Sequence, residues 1–252
     1  MPRYRLTLEY DGTPFLGWQF QPGEPTVQGR LIDAFEKLTG ARVNVHGAGR
    51  TDTGVHALGQ VAHVDLAREY PQHVVREAIN YHLRPDPIAV LDVRIVPESF
   101  DARFSATARH YVFRILARRA PPAVDRNRVW WVPQPLNVQA MAEAAPRLEG
   151  HRDFTTFRAA ACQAKSPVKT LDHFRVSAHG EEIRIEASAR SFMHNQVRSM
   201  VGSLKLVGEG KWSADDLSAA LDARDRARCG PVTPPSGLYL VRVDYPKTPP
   251  LV

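Results

Sequence analysis

Residues 3–10 alternate, with Tyr4, Leu6, Leu8 and Tyr10 at every second position, which predicts a strand with one buried face. Asp11-Gly12-Thr13-Pro14 then turns the chain. From Val27 the period changes to that of a helix. Val27, Leu31, Ala34, Phe35 and Leu38 share one face as far as about Thr39, and Thr26 stands at the N-cap. A strand over 42–48, a strand from Val61 to Leu66 and a helix over 71–83 ending before Pro85 come next. Val90 to Val96 and Arg109 to Ala117 read as further strands. The Pro- and Arg-rich stretch from Arg118 to Pro135 reads as loop, and a helix fits 137–148. Two alternating runs, 169–178 and 181–190, flank His179-Gly180 as a hairpin. A long helix from about 193 to 208, a short one from Ser213 to Ala223 and a strand from Leu238 to Val243 complete the pattern, with a Pro-rich tail from Pro246.

Strands that pair off around helices make an α+β layer protein. Up to about residue 100 the order is strand, helix, strand, strand, helix, strand, and the later part carries a similar order. This predicts two halves, 1–105 and 106–252, although no sequence repeat is visible.

The 252 residues suffice for a sizeable core, and 43% hydrophobic with 24% charged residues is ordinary for a globular chain. No stretch approaches the roughly 20 apolar residues of a membrane span. The opening MPRYRLTLEYDG lacks an apolar signal core, so a cytoplasmic location is expected. Cys162 and Cys229 lie far apart and in no metal-ligand pattern, so no metal site is expected. The net charge of +6 favours a polyanionic partner. Arg103, Arg109, Arg114, Arg118, Arg119, Arg126 and Arg128 concentrate that charge in one stretch.

The candidate chemistry sits in residues 47–57, GAGRTDTGVHA, where glycines and small polar residues make a tight loop. An aspartate in such a loop is ordinarily a turn residue bonding its own backbone. Gly47-Ala48-Gly49 resembles the start of a dinucleotide-binding fingerprint, but Asp52 occupies the third glycine position and no Lys-Ser/Thr follows. A carboxylate there repels phosphate, so nucleotide binding is set aside.

Arg50-Thr51-Asp52-x-Gly54-Val55-His56-Ala57 resembles the signature loop of the tRNA pseudouridine synthase A family. YDGTPFLGWQFQP at 10–22, TVQGRL at 26–31, FDARFSATARHYVFRI at 100–115 and HRDFTTF at 151–157 also resemble its motifs. CQAKSPVKT at 162–170, SFMHNQVRSMVGSL at 191–204 and PPSGLYLVRVDYP at 234–246 follow in family order. His194-Asn195-Gln196 stands where many members carry other polar or bulky residues, whereas Arg198 is kept. The resemblance implies a pseudouridine synthase fold. Its mixed, mostly antiparallel central sheet is flanked by helices, in two similar halves with a cleft between them.

It also implies a function: isomerisation of uridine to pseudouridine in the anticodon stem-loop of tRNA, at positions 38, 39 and 40, by a homodimer. The reaction changes no oxidation state, so no cofactor is expected. Asp52 is the implied catalytic carboxylate, attacking the sugar carbon or removing a ribose proton. Both routes stay open, and both need it ionised, with Arg50 and Arg198 as candidate partners. Tyr111 is placed by the resemblance against the uracil ring, and Leu238 in the uracil pocket. Arg198 lies on the flank of the apolar stripe of Val197, Met200, Val201 and Leu204, with His194 four residues before it on the same edge. Judged without the motifs, Tyr111 is an ordinary strand aromatic, Arg198 a snorkelling surface residue and Leu238 core. His56 and His63 read as structural. The 118–135 stretch, with Trp130 and Trp131, is expected at an RNA contact or a subunit interface. A non-catalytic tRNA-binding or RNA-folding module on the same fold is the alternative; it predicts a decayed Asp loop, whereas this one is complete.

Overall fold

A computed structural model describes residues 1–246, so the Pro-rich tail expected from Pro246 lies almost wholly outside the described residues. The chain forms two compact units. Of the described residues, one holds 1–108 and 240–246; the other holds Arg109–Tyr239. Among the described residues strands are mostly antiparallel and five α-helices accompany them, the α+β class that the alternation predicted.

In the first unit, β1 (Arg3–Tyr10) is antiparallel to both its neighbours, β3 (His56–Asp65) and β4 (Ile88–Val96). The short β2 (Val45–Gly47) pairs antiparallel with β3. Helix α1 (Val27–Thr39) begins where Thr26 accepts from the Gly29 amide. It ends at Gly40, whose φ of 75° lets its amide close on the Glu36 carbonyl. Helix α2 (Gln72–Leu83) packs on α1 and β4. Tyr4, Leu6, Leu8, Leu31, Phe35, Val75 and Ile79 are all fully buried, so the strand's alternate positions and the helix stripes form the core. Each such side chain contributes about 1.5–3 kcal/mol by leaving water. The Tyr4 hydroxyl is satisfied in that core: it donates to the Tyr70 carbonyl and accepts from the Tyr70 amide.

Two boundaries differ from the expected ones. The strand expected over 42–48 pairs only at Val45–Gly47, because the chain leaving the α1 cap needs several residues to reach the sheet. Strand β3 starts at His56 instead of Val61: exposed Leu58, Gly59 and buried Gln60 hide the alternation, yet Tyr10 pairs with Ala57 across a bulge.

His63 illustrates why a polar residue is tolerated in this sheet. Its Nδ1 accepts from the Ala102 amide at 3.0 Å, and its ring stacks on His46 at 4.9 Å. Burial, reinforced by the Arg3 charge, holds its pKa below the ordinary value of 6.5. Protonation therefore favours the unfolded chain. Denaturation measured across pH should show a contribution to stability that is complete above about pH 6.5 and is lost as pH falls through the lower folded value. His63→Asn, whose amide oxygen can accept near the same place, should remove that slope.

In the second unit, β5 (Ala108–Ala117), β9 (Glu182–Ala189), β8 (Val168–His179) and β7 (Gly150–Asp153) pair antiparallel in that spatial order. The β8–β9 hairpin turns at Gly180, φ 64°, as the sequence predicted. Helices α3 (Val138–Ala144), α4 (Gln196–Gly208) and α5 (Ala214–Asp222) pack against one another. Ser213 and Asp216 form a reciprocal capping box at α5. The helix expected over 137–148 becomes 3₁₀ at Ala145, because Pro146 has no amide with which to continue it. The stretch 118–135 is not all loop: β6 (Trp130–Val132) runs parallel to β5 from Ile115 to Ala117. The terminal β10 (Leu238–Asp244) contributes its residues from Leu240 onward to the first unit, beside β3.

Candidate active site

Residues 48–55 join β2 to β3 and are held by backbone contacts from both sides. The Ala48 amide donates to the Val61 carbonyl at 2.7 Å, and the Gln60 amide group donates to the Gly49 carbonyl at 2.7 Å. Thr51 is buried; its hydroxyl lies 2.8 Å from the Tyr10 hydroxyl, and its carbonyl accepts from the Trp18 amide at 3.0 Å. The Asp52 carbonyl accepts from the Val55 amide, and Gly54, φ 76°, donates its own amide to Phe15. His56 is buried, and its Nδ1 accepts from the Gly12 amide at 3.0 Å. The loop is thus clamped by the 10–18 segment, the one carrying the YDGTPFLGW motif.

Two glycines make that clamp close enough. A Cβ on Gly12 would lie 2.1 Å from the Val55 carbonyl oxygen. Gly17, at φ 90°, would place one 2.7 Å from the Thr51 oxygen and 3.1 Å from the Asp52 carbonyl carbon. Between buried Thr51 and buried Val55, Asp52 is half-buried, and Arg50 is exposed. The loop offers a carboxylate on a rigid backbone, the condition for a group that must meet one atom of a substrate.

Arg50 and Asp52 share this loop of the first unit, whereas Tyr111, Arg198 and Leu238 stand in the second. Tyr111, on β5 opposite Ala187, is half-buried, and its ring meets Phe192 edge-on at 5.2 Å. Arg198 lies in the first turn of α4 and is half-buried. Its Nε donates to the Thr233 carbonyl and one terminal nitrogen donates to Asn195 Oδ1, both at 2.8 Å. Those two bonds fix the plane of the guanidinium. Leu238 is buried at the start of β10.

The edge expected to be shared by His194 and Arg198 does not form. Helix α4 begins at Gln196, and its N-cap Asn195 is left-handed at φ 60°, so His194 precedes the helix. Asparagine tolerates that conformation better than most residues. Sequence reasoning passed over Asn195 and Thr233 as the groups that orient Arg198; an asparagine three residues before an arginine, at a helix start, was the available signal. It also passed over Trp18 and Gln60 beneath the Asp52 loop, which fell in no predicted element, and took Tyr10 only as strand core.

The basic stretch is smaller than its arginine count implied. Strand alternation buries Arg109, which donates to the Arg190 carbonyl. Arg114 is held by Glu182, which raises its already high pKa, and by Asp125, and Arg118 pairs with Glu181. Exposed charge remains at Arg103, Arg119, Arg126 and Arg128. Among the described residues no group of three or more His, Cys, Asp or Glu side chains is arranged to hold a metal ion. No helix there is long and apolar enough to cross a membrane.

The family model described as tRNA pseudouridine synthase matches residues 7–105 and 144–246, most of the chain and the motifs named above except residues 106–115 of FDARFSATARHYVFRI. The tRNA pseudouridine synthase A of Xanthobacter autotrophicus is 63% identical over 97% of this chain and 100% of its own length. That of Paramagnetospirillum magneticum is 61% identical over 97% of this chain and 96% of its own. That of Nitrobacter winogradskyi is 60% identical over all of this chain and 98% of its own. The Asp loop clamped by the first unit and the arginine fixed on α4 are therefore parts of a chain that belongs to the tRNA pseudouridine synthase family.

Proposed function

We propose that this chain isomerises uridine to pseudouridine in the anticodon stem-loop of tRNA, at positions 38, 39 and 40, with Asp52 as the catalytic carboxylate. Family membership carries the enzyme class: the chain is a uridine isomerase acting on tRNA. The finer assignments rest on the motif resemblance and on the setting of each side chain. The single observation that supports Asp52 best is its loop, pinned at Thr51 and Val55 so that this one carboxylate projects from a fixed backbone.

In the reaction the C1′–N1 bond breaks, N1 takes up a proton, C5 bonds to C1′, and C5 gives up its hydrogen as a proton. Atoms and electrons balance without an oxidant, so no cofactor is invoked. Asp52 attacks C1′ or removes a ribose proton; either act stabilises the electron-poor sugar, as carboxylates do in glycosidases. Tyr111 stacks on the uracil and is suited to take part in proton removal at C5. Leu238 supplies apolar lining. Arg50, exposed beside Asp52, and Arg198, held by Asn195 and Thr233, bind substrate. The target base leaves its stack at a cost of a few kcal/mol, which phosphate contacts from exposed arginines help offset. The resemblance also supports a homodimer in the cytoplasm, each tRNA contacting both subunits. A non-catalytic binding module is not favoured, since the relatives named as synthases match end to end.

Incubation with unmodified tRNA transcripts, followed by mapping of pseudouridine, tests the reading. Product at 38, 39 and 40 is expected; product confined to other positions contradicts the site assignment. Arg198→Lys keeps the charge but not the fork that spans Asn195 and Thr233. It should lower kcat by about ten- to a hundredfold while tRNA affinity changes little. A loss of affinity with unchanged turnover would count against the role given to Arg198.

A further inference from the structure

The buried contact between Tyr10 and Thr51 has no place in the chemistry above, yet it lies directly beneath Asp52. Tyr10 ends β1, and its ring is 4% exposed, so little but a protein partner can satisfy its hydroxyl. That hydroxyl lies 2.8 Å from Thr51 Oγ1 and 3.4 Å from Gln60 Nε2. Gln60, itself fully buried, spends the same amide group on the Gly49 carbonyl at 2.7 Å. Three buried polar side chains therefore tie the last turn of β1 and the middle of β3 to the two ends of Gly49-Arg50-Thr51. Trp18 adds a fourth tie, from its amide to the Thr51 carbonyl. Burial pushes the Tyr10 phenol up to about 12, so it keeps its proton at every pH at which the protein works.

We infer that Tyr10 is a positioning residue for the isomerisation: its hydroxyl, through Thr51, sets where the Asp52 carboxylate stands. The inference rests on Asp52 being the catalytic group. Apolar packing alone would hold a phenylalanine at position 10 equally well, so the hydroxyl is the distinguishing feature. A backbone shift of about 1 Å at a reacting group is enough to cost on the order of a hundredfold in rate. Thr51 is the residue immediately before Asp52, so a shift of its backbone passes directly to the backbone that carries the carboxylate.

Tyr10→Phe removes one oxygen and leaves the ring in its packing. With unmodified tRNA transcript as substrate it should lower kcat by about ten- to a hundredfold, with KM and tRNA affinity within about twofold of wild type. Thr51→Val should reproduce the loss and Thr51→Ser should recover most of the rate. The double variant Tyr10→Phe/Thr51→Val should be no slower than the worse single variant, because both cut the same tie. Tyr10→Phe with wild-type kcat and only a lower Tm would overturn the inference, as would losses that multiply in the double variant. Failure of the underlying reading looks different: wild-type protein would then form no pseudouridine, or Asp52→Ala would form it as fast as wild type.

Discussion

Asp52→Asn should abolish isomerisation while tRNA binding persists. The substitution keeps size and shape, removes the negative charge and turns one acceptor oxygen into an amide donor. The Thr51 and Val55 contacts that hold the loop are made by the Thr51 hydroxyl and the Asp52 backbone carbonyl, so they are retained. The amide can neither trap the sugar carbon nor take a proton from the ribose. A group that carries the bond-breaking step is worth at least about a thousandfold, so pseudouridine formation should fall by that factor or more. Affinity comes mainly from contacts to phosphate, and removing a negative charge near a polyanion does not weaken them. Equilibrium binding should therefore be unchanged or slightly tighter. Filter binding beside a turnover assay on one transcript separates the two quantities. A parallel fall in both would point to misfolding of the loop instead of lost chemistry.

Gly17→Ala should be nearly as damaging, through geometry. Its φ of 90° disfavours any side chain, and the new Cβ would meet the Thr51 carbonyl oxygen at 2.7 Å and the Asp52 carbonyl carbon at 3.1 Å. Both atoms are backbone, so relief comes only by moving the loop that carries Asp52. Overpacking of this kind costs about 1–3 kcal/mol in stability, and the displaced carboxylate should cost on the order of a hundredfold in kcat. Gly23, also at positive φ but with open space around it, provides the control: Gly23→Ala carries the backbone strain without the contact. Thermal denaturation and turnover of the two variants should diverge, with Gly23→Ala keeping near-normal kcat.

The first unit was largely legible because its elements are made by local patterns. Period two at Tyr4–Tyr10, the Thr26 cap and the Leu31–Phe35 stripe each correspond to one element. The Asp52 loop was legible as chemistry only through its motif. Its physical support was not, because Tyr10 read as strand core and Gly12 as a turn residue, while Gly17 and Gln60 fell in no predicted element. A clamp built from backbone contacts between residues 10–18 and 51–56 leaves no periodic trace. In the second unit the same limit applied at Arg198. Helical geometry placed it on the flank of the stripe, but the left-handed Asn195 that ends the preceding segment shifted the helix start and separated it from His194. The arginine cluster was overcounted for a different reason: counting charges ignores that alternate strand residues point inward, and Arg109 does.

Release of tritium from uridine C5 reports the isomerisation directly, because each C5–C1′ bond formed expels that hydrogen. With enzyme in excess over a transcript labelled at C5, the wild-type chain should release about one tritium per target uridine, in the presence of a metal chelator, and Asp52→Ala none. Release by Asp52→Ala at the wild-type rate would contradict the account.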